Sequence, residues 1–529
     1  MCPDSDDEAL SIDDFPVEIF ENIISYLDVE DRKAASLVSE KWSQYTFSKA
    51  ALGDVVLEVN CAQLSALEYW NVLKNSSRGY RNIVLKFASD DDGHLINVLN
   101  YFQDSLEYLS IEQDPDARLL HTEVSFEYFI HLLSNLINVK ELRIKTILEI
   151  DDYQSLVLPK LEKLKTLCLY SRCLEKAWID WSIVAPNVCN LGIPLEDGHD
   201  DYPQLLRRYR AQLASISVDA RFLERSQLEF CQDHYPCLRK FRLLYPIDNS
   251  FVSSVVDNFF VDLKRLTEIS LFNNSITKNT IKILVENCTL LKIVSVDANE
   301  VPQDMFMMLS KLPLLHQLIL HKITVEPSMV IGAGCFVSLN RLTCLSIRIN
   351  TADAFFEQLH RKMPNLTILE LLDRFRFGIS NFNQTDIVPS ICRHLKHLHK
   401  LALVDWAIID ASVFRNLNQL ENLKDLTLKF IGLNMNHKIP PCQRVTRLIM
   451  DLDSLTQTEV IPPIKRYPFE EVIAEGFPNL QTVEMRKHLL YRIEESERVI
   501  QLMGVEMDRC RFYRKTRLKI SDKDYTALL

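Results

Sequence analysis

One six-residue pattern, apolar–x–x–apolar–x–apolar, returns sixteen times between Tyr80 and Leu480, and a chain that repeats itself this way has few folds open to it. Copies such as LKTLCL at Leu164, LTEISL at Leu266, LHQLIL at Leu315 and LTCLSI at Leu342 mostly start 24 to 28 residues apart, and LGDVVL at Leu52 is a weaker copy. A unit of that length holds one strand and one return segment, and it buries its apolar residues only against the unit before and the unit after. In LTEISL the alternation sends Ile269 and Leu271 inward and Glu268, Ser270 and Phe272 outward. Strands of a crossover sheet covered on both faces would be apolar on both sides. The return segments carry helical spacing, as in TKNTIKILVENC, where Ile281, Leu284 and Val285 share a face. Pro186, Pro236, Pro313, Pro364 and Pro478 stand two residues before a strand's first apolar position. There they stop a helix and turn the chain into extended geometry.

The front of the chain is different. DFPVEIFENIISYLDVEDRKAASLVSEKW, from Asp14 to Trp42, predicts a first helix with Ile19, Phe20, Ile23, Ile24 and Leu27 on one apolar stripe and Pro16 in its first turn. Asp28 to Asp31 makes a turn, and Ala34, Leu37, Val38 and Trp42 continue a second stripe. So short a segment cannot offset its chain entropy alone, so its apolar sides need a partner.

Two resemblances follow. The 24-to-28-residue unit is similar to the leucine-rich repeat. Phe15-Pro16-x-Glu18-Ile19, Ile23, Tyr26-Leu27, Asp31, Ala35-Ser36-x-Val38 and Trp42 resemble the F-box motif in order and spacing, with Phe15 where that family usually has Leu and Ser39 where it often has Cys. Together they imply an α/β chain: a helical F-box at 14–50, then a leucine-rich-repeat solenoid at 51–490, a horseshoe or arc with a concave parallel sheet and convex helices. Residues 1–13 are expected to be an acidic disordered N-terminus and 491–529 a cap with a basic tail. The F-box resemblance implies that Phe15, Pro16, Ile19, Ile23, Leu27, Leu37, Val38 and Trp42 help form a surface that docks on a Skp adaptor, which in turn holds a cullin scaffold. The function this implies is substrate receptor of a Skp–cullin–F-box ubiquitin ligase, with a non-degradative Skp-bound scaffold as the alternative.

Outward positions of the repeats carry no packing duty, so they are where a target is expected to touch. Leu244, Phe272, Ile293 and Ile319 are expected to form an exposed apolar patch, rimmed by Asp297, His321 and Arg348, with Leu372 in the same column as the rim. Sixty basic against seventy-two acidic side chains leave a net charge of −12, which argues against a surface that tracks nucleic-acid phosphates. No apolar run reaches the length of a membrane span, and the N-terminus lacks the basic and apolar regions of an export signal. Thirteen cysteines without a CxxC pair fit reduced thiols in cytoplasm or nucleus. Cys392, His394, His397 and His399 are spaced like metal ligands but lack a second pair. No nucleophile or phosphate-loop motif occurs, so neither a reaction of its own nor a cofactor is expected of the chain. Two further stretches draw notice as binding lips, DRFRFG at Asp373 and the basic RCRFYRKTRLKI from Arg509.

Overall fold

The computed structural model describes residues 16–27, 29–48, 50–53, 55–60, 71, 74, 78–87, 94–113, 122–124, 126–145, 148–150, 158–169, 179–194, 201–219 and 233–244. It continues with 257–271, 278–297, 307–321, 323–325, 336–344, 347–349, 352–372, 387–407, 416–431, 441–451, 475–480, 482–486 and 511–513. The chain divides into two compact units, Met1–Cys237 and Leu238–Leu529.

The first unit opens with three helices, α1 (Val17–Tyr26), α2 (Val29–Ala35) and α3 (Glu40–Thr46). Pro16 caps α1, with its carbonyl accepting from the amides of Ile19 at 3.0 Å and Phe20 at 3.3 Å. Ser39 caps α3 by accepting from the Trp42 amide at 3.2 Å. A parallel ladder follows in sequence order: Val56–Asn60, Asn82–Phe87, Tyr108–Gln113, Glu141–Lys145, Thr166–Leu169, Asn190–Pro194 and Ser215–Asp219. The second unit repeats the scheme from Lys240–Leu244 and Glu268–Leu271 through Lys400–Ala407 and Asp425–Ile431 to Thr482–Arg486. A last strand, Arg511–Tyr513, pairs in parallel with Thr482–Arg486, so the sheet reaches into the segment expected to be a basic tail.

Repeat residues pack as the alternation predicts. In Glu141–Lys145 burial alternates, with Leu142 and Ile144 buried between partly exposed neighbours. The return helix Lys278–Asn287 buries Ile281 and Leu284, leaves Val285 half-buried and buries Thr280 as well. These are strands and return segments of a leucine-rich-repeat solenoid.

Two copies start elsewhere than the pattern suggests. Leu318 pairs with Leu342 and Leu320 with Cys344, so this turn begins at Leu339 and reads LNRLTC instead of LTCLSI. Both starts fit the apolar pattern, and both leave spacings of 24 and 27 residues, merely in opposite order. The fold separates them because Arg341 and Thr343 must face Glu370 on the next strand, while Ile347–Ile349 leaves the main sheet to pair with Ile323–Val325. At the front, Leu57 pairs with Ile83 and Val59 with Leu85, two residues beyond the phase of LGDVVL.

Candidate functional site

The F-box helices form a small core around one ring. Phe20 stacks on Tyr45 with centroids 4.7 Å apart and meets Trp42 edge-on at 5.2 Å. Phe20 and Ile24 are 0% exposed. Trp42, half-buried, therefore lends part of its ring to the helix trio and keeps part of it open to a partner. Arg32 does work that the sequence pattern did not reveal. It is buried, and its Nε reaches the carbonyls of Ile24 at 3.1 Å and Leu27 at 2.9 Å, while its Nη1 donates to the carbonyl of Ala51. One guanidinium thus adds a charged donor to the Ile24 and Leu27 carbonyls at the end of α1, the first of which also accepts from the Leu27 amide, and ties them to the start of the repeats. A basic residue five places after a helix's last apolar position was the available signal.

What this core leaves outside is apolar. Leu37 is 87% exposed, Val38 67% and Ile19 44%, with Val17 and Tyr26 also exposed and Ile23 and Leu27 half-buried. Pro16 is exposed at the head of α1, and Phe15 lies outside the described residues. Five large apolar side chains exposed on so short a segment make a surface that water disfavours and a protein partner would cover.

The sheet face of the second unit is not the apolar patch that alternation predicts. Ile319 is 4% exposed. It sits in the middle outward column, between Ser295 and Thr343 on the flanking strands, where parallel neighbours about 4.8 Å apart close over one another. That column holds small or fully engaged residues, with Ser270, Ser295, Thr343 and Glu370 all buried. In the first unit the same crowding holds, since a Cβ on Gly192 would come within 3.1 Å of the Cys168 sulfur. Ile293 is half-buried in the neighbouring column. Arg348 does not stand beside His321; it belongs to the side strand Ile347–Ile349 opposite Thr324, a consequence of the shifted start. Asp297 and His321 stand in backbone register on adjacent strands, and Leu244 and Leu372 end theirs. Phe272 and DRFRFG lie outside the described residues.

In place of apolar contact the face carries charge that is internally matched. Glu370, 1% exposed, receives Arg341 at 2.9 Å, Lys400 at 2.8 Å and the Thr343 hydroxyl at 2.8 Å. Burial works against ionising this carboxyl, but the charges of Lys400 and Arg341 and their hydrogen bonds outweigh it and hold the group below the usual carboxylate range. Glu268 is held down in the same way: burial opposes, and Arg242 and Lys240, the latter at 2.9 Å, more than offset it. In the first unit Lys86 pairs with Glu58, Lys145 with Glu112 at 3.2 Å and Arg143 with Glu141 at 2.7 Å.

The metal-like cluster comes apart. Cys392 is fully buried, with its thiol pushed up to about 12 by burial, while His394 turns to Asp353 at 2.9 Å. His399 Nδ1 lies 3.1 Å from the His397 carbonyl. Among the described residues no group of three metal-ligating side chains occurs, and no helix is long and apolar enough to cross a membrane.

Residues 12–49 match the F-box domain family, the segment whose helices bury Phe20 and expose Leu37. The chain joins an F-box domain to leucine-rich repeats. F-box domains in general bind Skp-type adaptors. One solved structure it resembles is the leucine-rich repeat-containing protein LegL7 from Legionella pneumophila, at 13% identity and a TM-score of 0.36 over 59% of this chain and 96% of that one. No curated protein matches the chain.

Proposed function

We propose that this F-box/leucine-rich-repeat chain is the substrate receptor of a Skp–cullin–F-box ubiquitin ligase, acting in the cytoplasm or nucleus without catalysing a reaction itself. The observation that carries the reading is the division of labour in the first helices: Phe20, Ile24 and Arg32 hold the trio together, and Ile19, Leu37 and Val38 are left for the adaptor. The repeats hold a protein target, and the rate of ubiquitin transfer rises because tethering raises the local concentration of target lysines near the charged enzyme.

The test is co-purification of the full chain with the Skp adaptor and cullin, followed by target abundance after depletion. Recovery of both subunits and accumulation of a captured protein is the expected result. Adaptor without cullin, or capture without accumulation, replaces the ligase by the non-degradative scaffold.

A further inference from the structure

Among the described residues, Lys240, Arg242, Arg341 and Lys400 of the sheet face have carboxylate partners, and three cations at one rim of the second unit do not. That rim, the leading edge, consists of the two residues before and the one residue after each turn's first apolar position. They stack turn on turn through backbone hydrogen bonds, with the amide of Lys292 donating to Thr267 O at 2.8 Å and that of His316 to Lys292 O at 3.0 Å. From Arg239 to Thr446 the column after the first apolar position carries Arg239, Lys292 and Lys424 among threonine, asparagine and histidine, and no carboxylate occurs in it among the described residues. Lys264, Arg265 and Lys292 are exposed and pair with no carboxylate among the described residues. In a chain of net charge −12 this is a local reversal of sign.

Apolar residues are set between these cations. Leu290 is 43% exposed, Leu314 44% and Val337 65%. Strand register places them on three successive turns, Leu290 and Leu314 in line with one another and Val337 one residue before that line, directly after the turn that carries Lys264 and Arg265. Further along, the edge is indented. One cleft of about 350 Å³ is lined by His360, Lys396 and His397, and another of about 570 Å³ by Lys424 and Arg444, with Glu421 between them.

We propose that the leading edge of the second unit binds an acidic protein segment with an aliphatic centre, whose carboxylates meet Lys264, Arg265 and Lys292 and whose apolar side chains cover Leu290, Leu314 and Val337. As the place where a target is held, this deepens the receptor reading and rests on it. Charge complementarity selects the occupant, because the unmatched cations gain a partner that the sheet face, already neutralised by Glu268 and Glu370, does not need. A nucleic acid fits less well: the apolar residues between the cations are aliphatic and offer bases no ring to stack on.

The test is fluorescence anisotropy on the full chain. The probe is a fluorescein-labelled peptide of about fifteen residues, with leucine and valine at its centre and glutamates on either side, compared with a glutamine-flanked twin. The expected result is binding of the acidic peptide at least about tenfold tighter than the twin, weakening as salt rises. Lys264→Glu with Arg265→Glu and Lys292→Glu abolishes the preference, and Leu290→Ser with Leu314→Ser and Val337→Ser weakens binding of both peptides. Equal binding of the two peptides, or undiminished binding by the charge-reversed chain, overturns the proposal. Tighter binding of a labelled single-stranded RNA reassigns the edge to nucleic acid. Adaptor binding by the same variants is measured in parallel. Its loss from the unaltered chain would remove the ligase reading, whereas loss of peptide preference alone would remove this one.

Discussion

The F-box helices and the repeat turns draw on similar apolar residues and dispose of them in opposite ways. A repeat turn has a neighbour on each side, so Leu142, Ile144, Ile269 and Leu369 vanish from solvent. The helix trio has the repeats at one end and nothing described over its other sides, so it buries Phe20 and Ile24 and leaves Leu37 and Val38 bare. Exposure of apolar surface thus reports how many neighbours an element has within the chain, and the remainder measures what a partner must supply.

The largest test of this contrast is to empty the trio's core. Phe20→Ala should cost about 3–5 kcal/mol, because the ring fills the space between Trp42 and Tyr45. Hydrogen exchange should show fast-exchanging amides in α1 to α3 while the repeat strands stay protected. Equal loosening of the repeats would mean that the two regions fold as one cooperative unit.

Leu37→Asp with Val38→Asp probes the bare side. Stability should change by no more than about 0.5 kcal/mol per site, yet adaptor affinity should fall about a hundredfold, as for a central interface cluster. Calorimetry on the full chain with purified adaptor reads both quantities. An unaltered affinity places the adaptor elsewhere.

Next in size is Arg32→Leu, expected to cost about 2 kcal/mol because buried carbonyls of Ile24 and Leu27 lose a charged donor. The loss should appear as earlier thermal unfolding of the helix trio. A neutral result would show that water replaces the guanidinium.

A comparable effect concerns acid. The folded pKa of Glu370 lies below its unfolded value of 4.5, so its contribution is complete above that value and is lost as pH falls through the folded value. Glu268 behaves alike. Denaturant titrations between neutral pH and about pH 3 should show the second unit losing stability at the acid end, and Glu370→Gln should flatten that limb while lowering the neutral plateau by about 1–3 kcal/mol. An acid limb unchanged in the variant would assign the loss to other carboxylates.

The inward positions of nearly every turn were legible from the alternation, because the reward for burying a leucine is read by any strand in the same way. The starts at Leu52 and Leu342 were not: at Leu342 an overlapping frame matched the pattern and only the facing strand chose between them, and at the front the frame the pairing selects opens on Asp54, which breaks the pattern. Ile319 marks a second limit. Alternation tells that a side chain points outward but not whether its neighbours close over it, so Ile319 is less exposed than Leu314 five residues earlier.

By itself, the sequence determined a stacked repeat and a helical front segment with surplus apolar surface. These follow from local spacing and from the short range over which a turn can find its neighbours. Tertiary structure decided that Trp42 belongs partly to the core, that Arg32 ties helix to repeat, that the sheet face neutralises its own charges and that the leading edge does not. The first two depend on how three short helices close around Phe20 and reach Ala51, and the charge pattern of the repeats on side chains about 25 residues apart in sequence meeting across one strand spacing, a distance that only the stacked turns set.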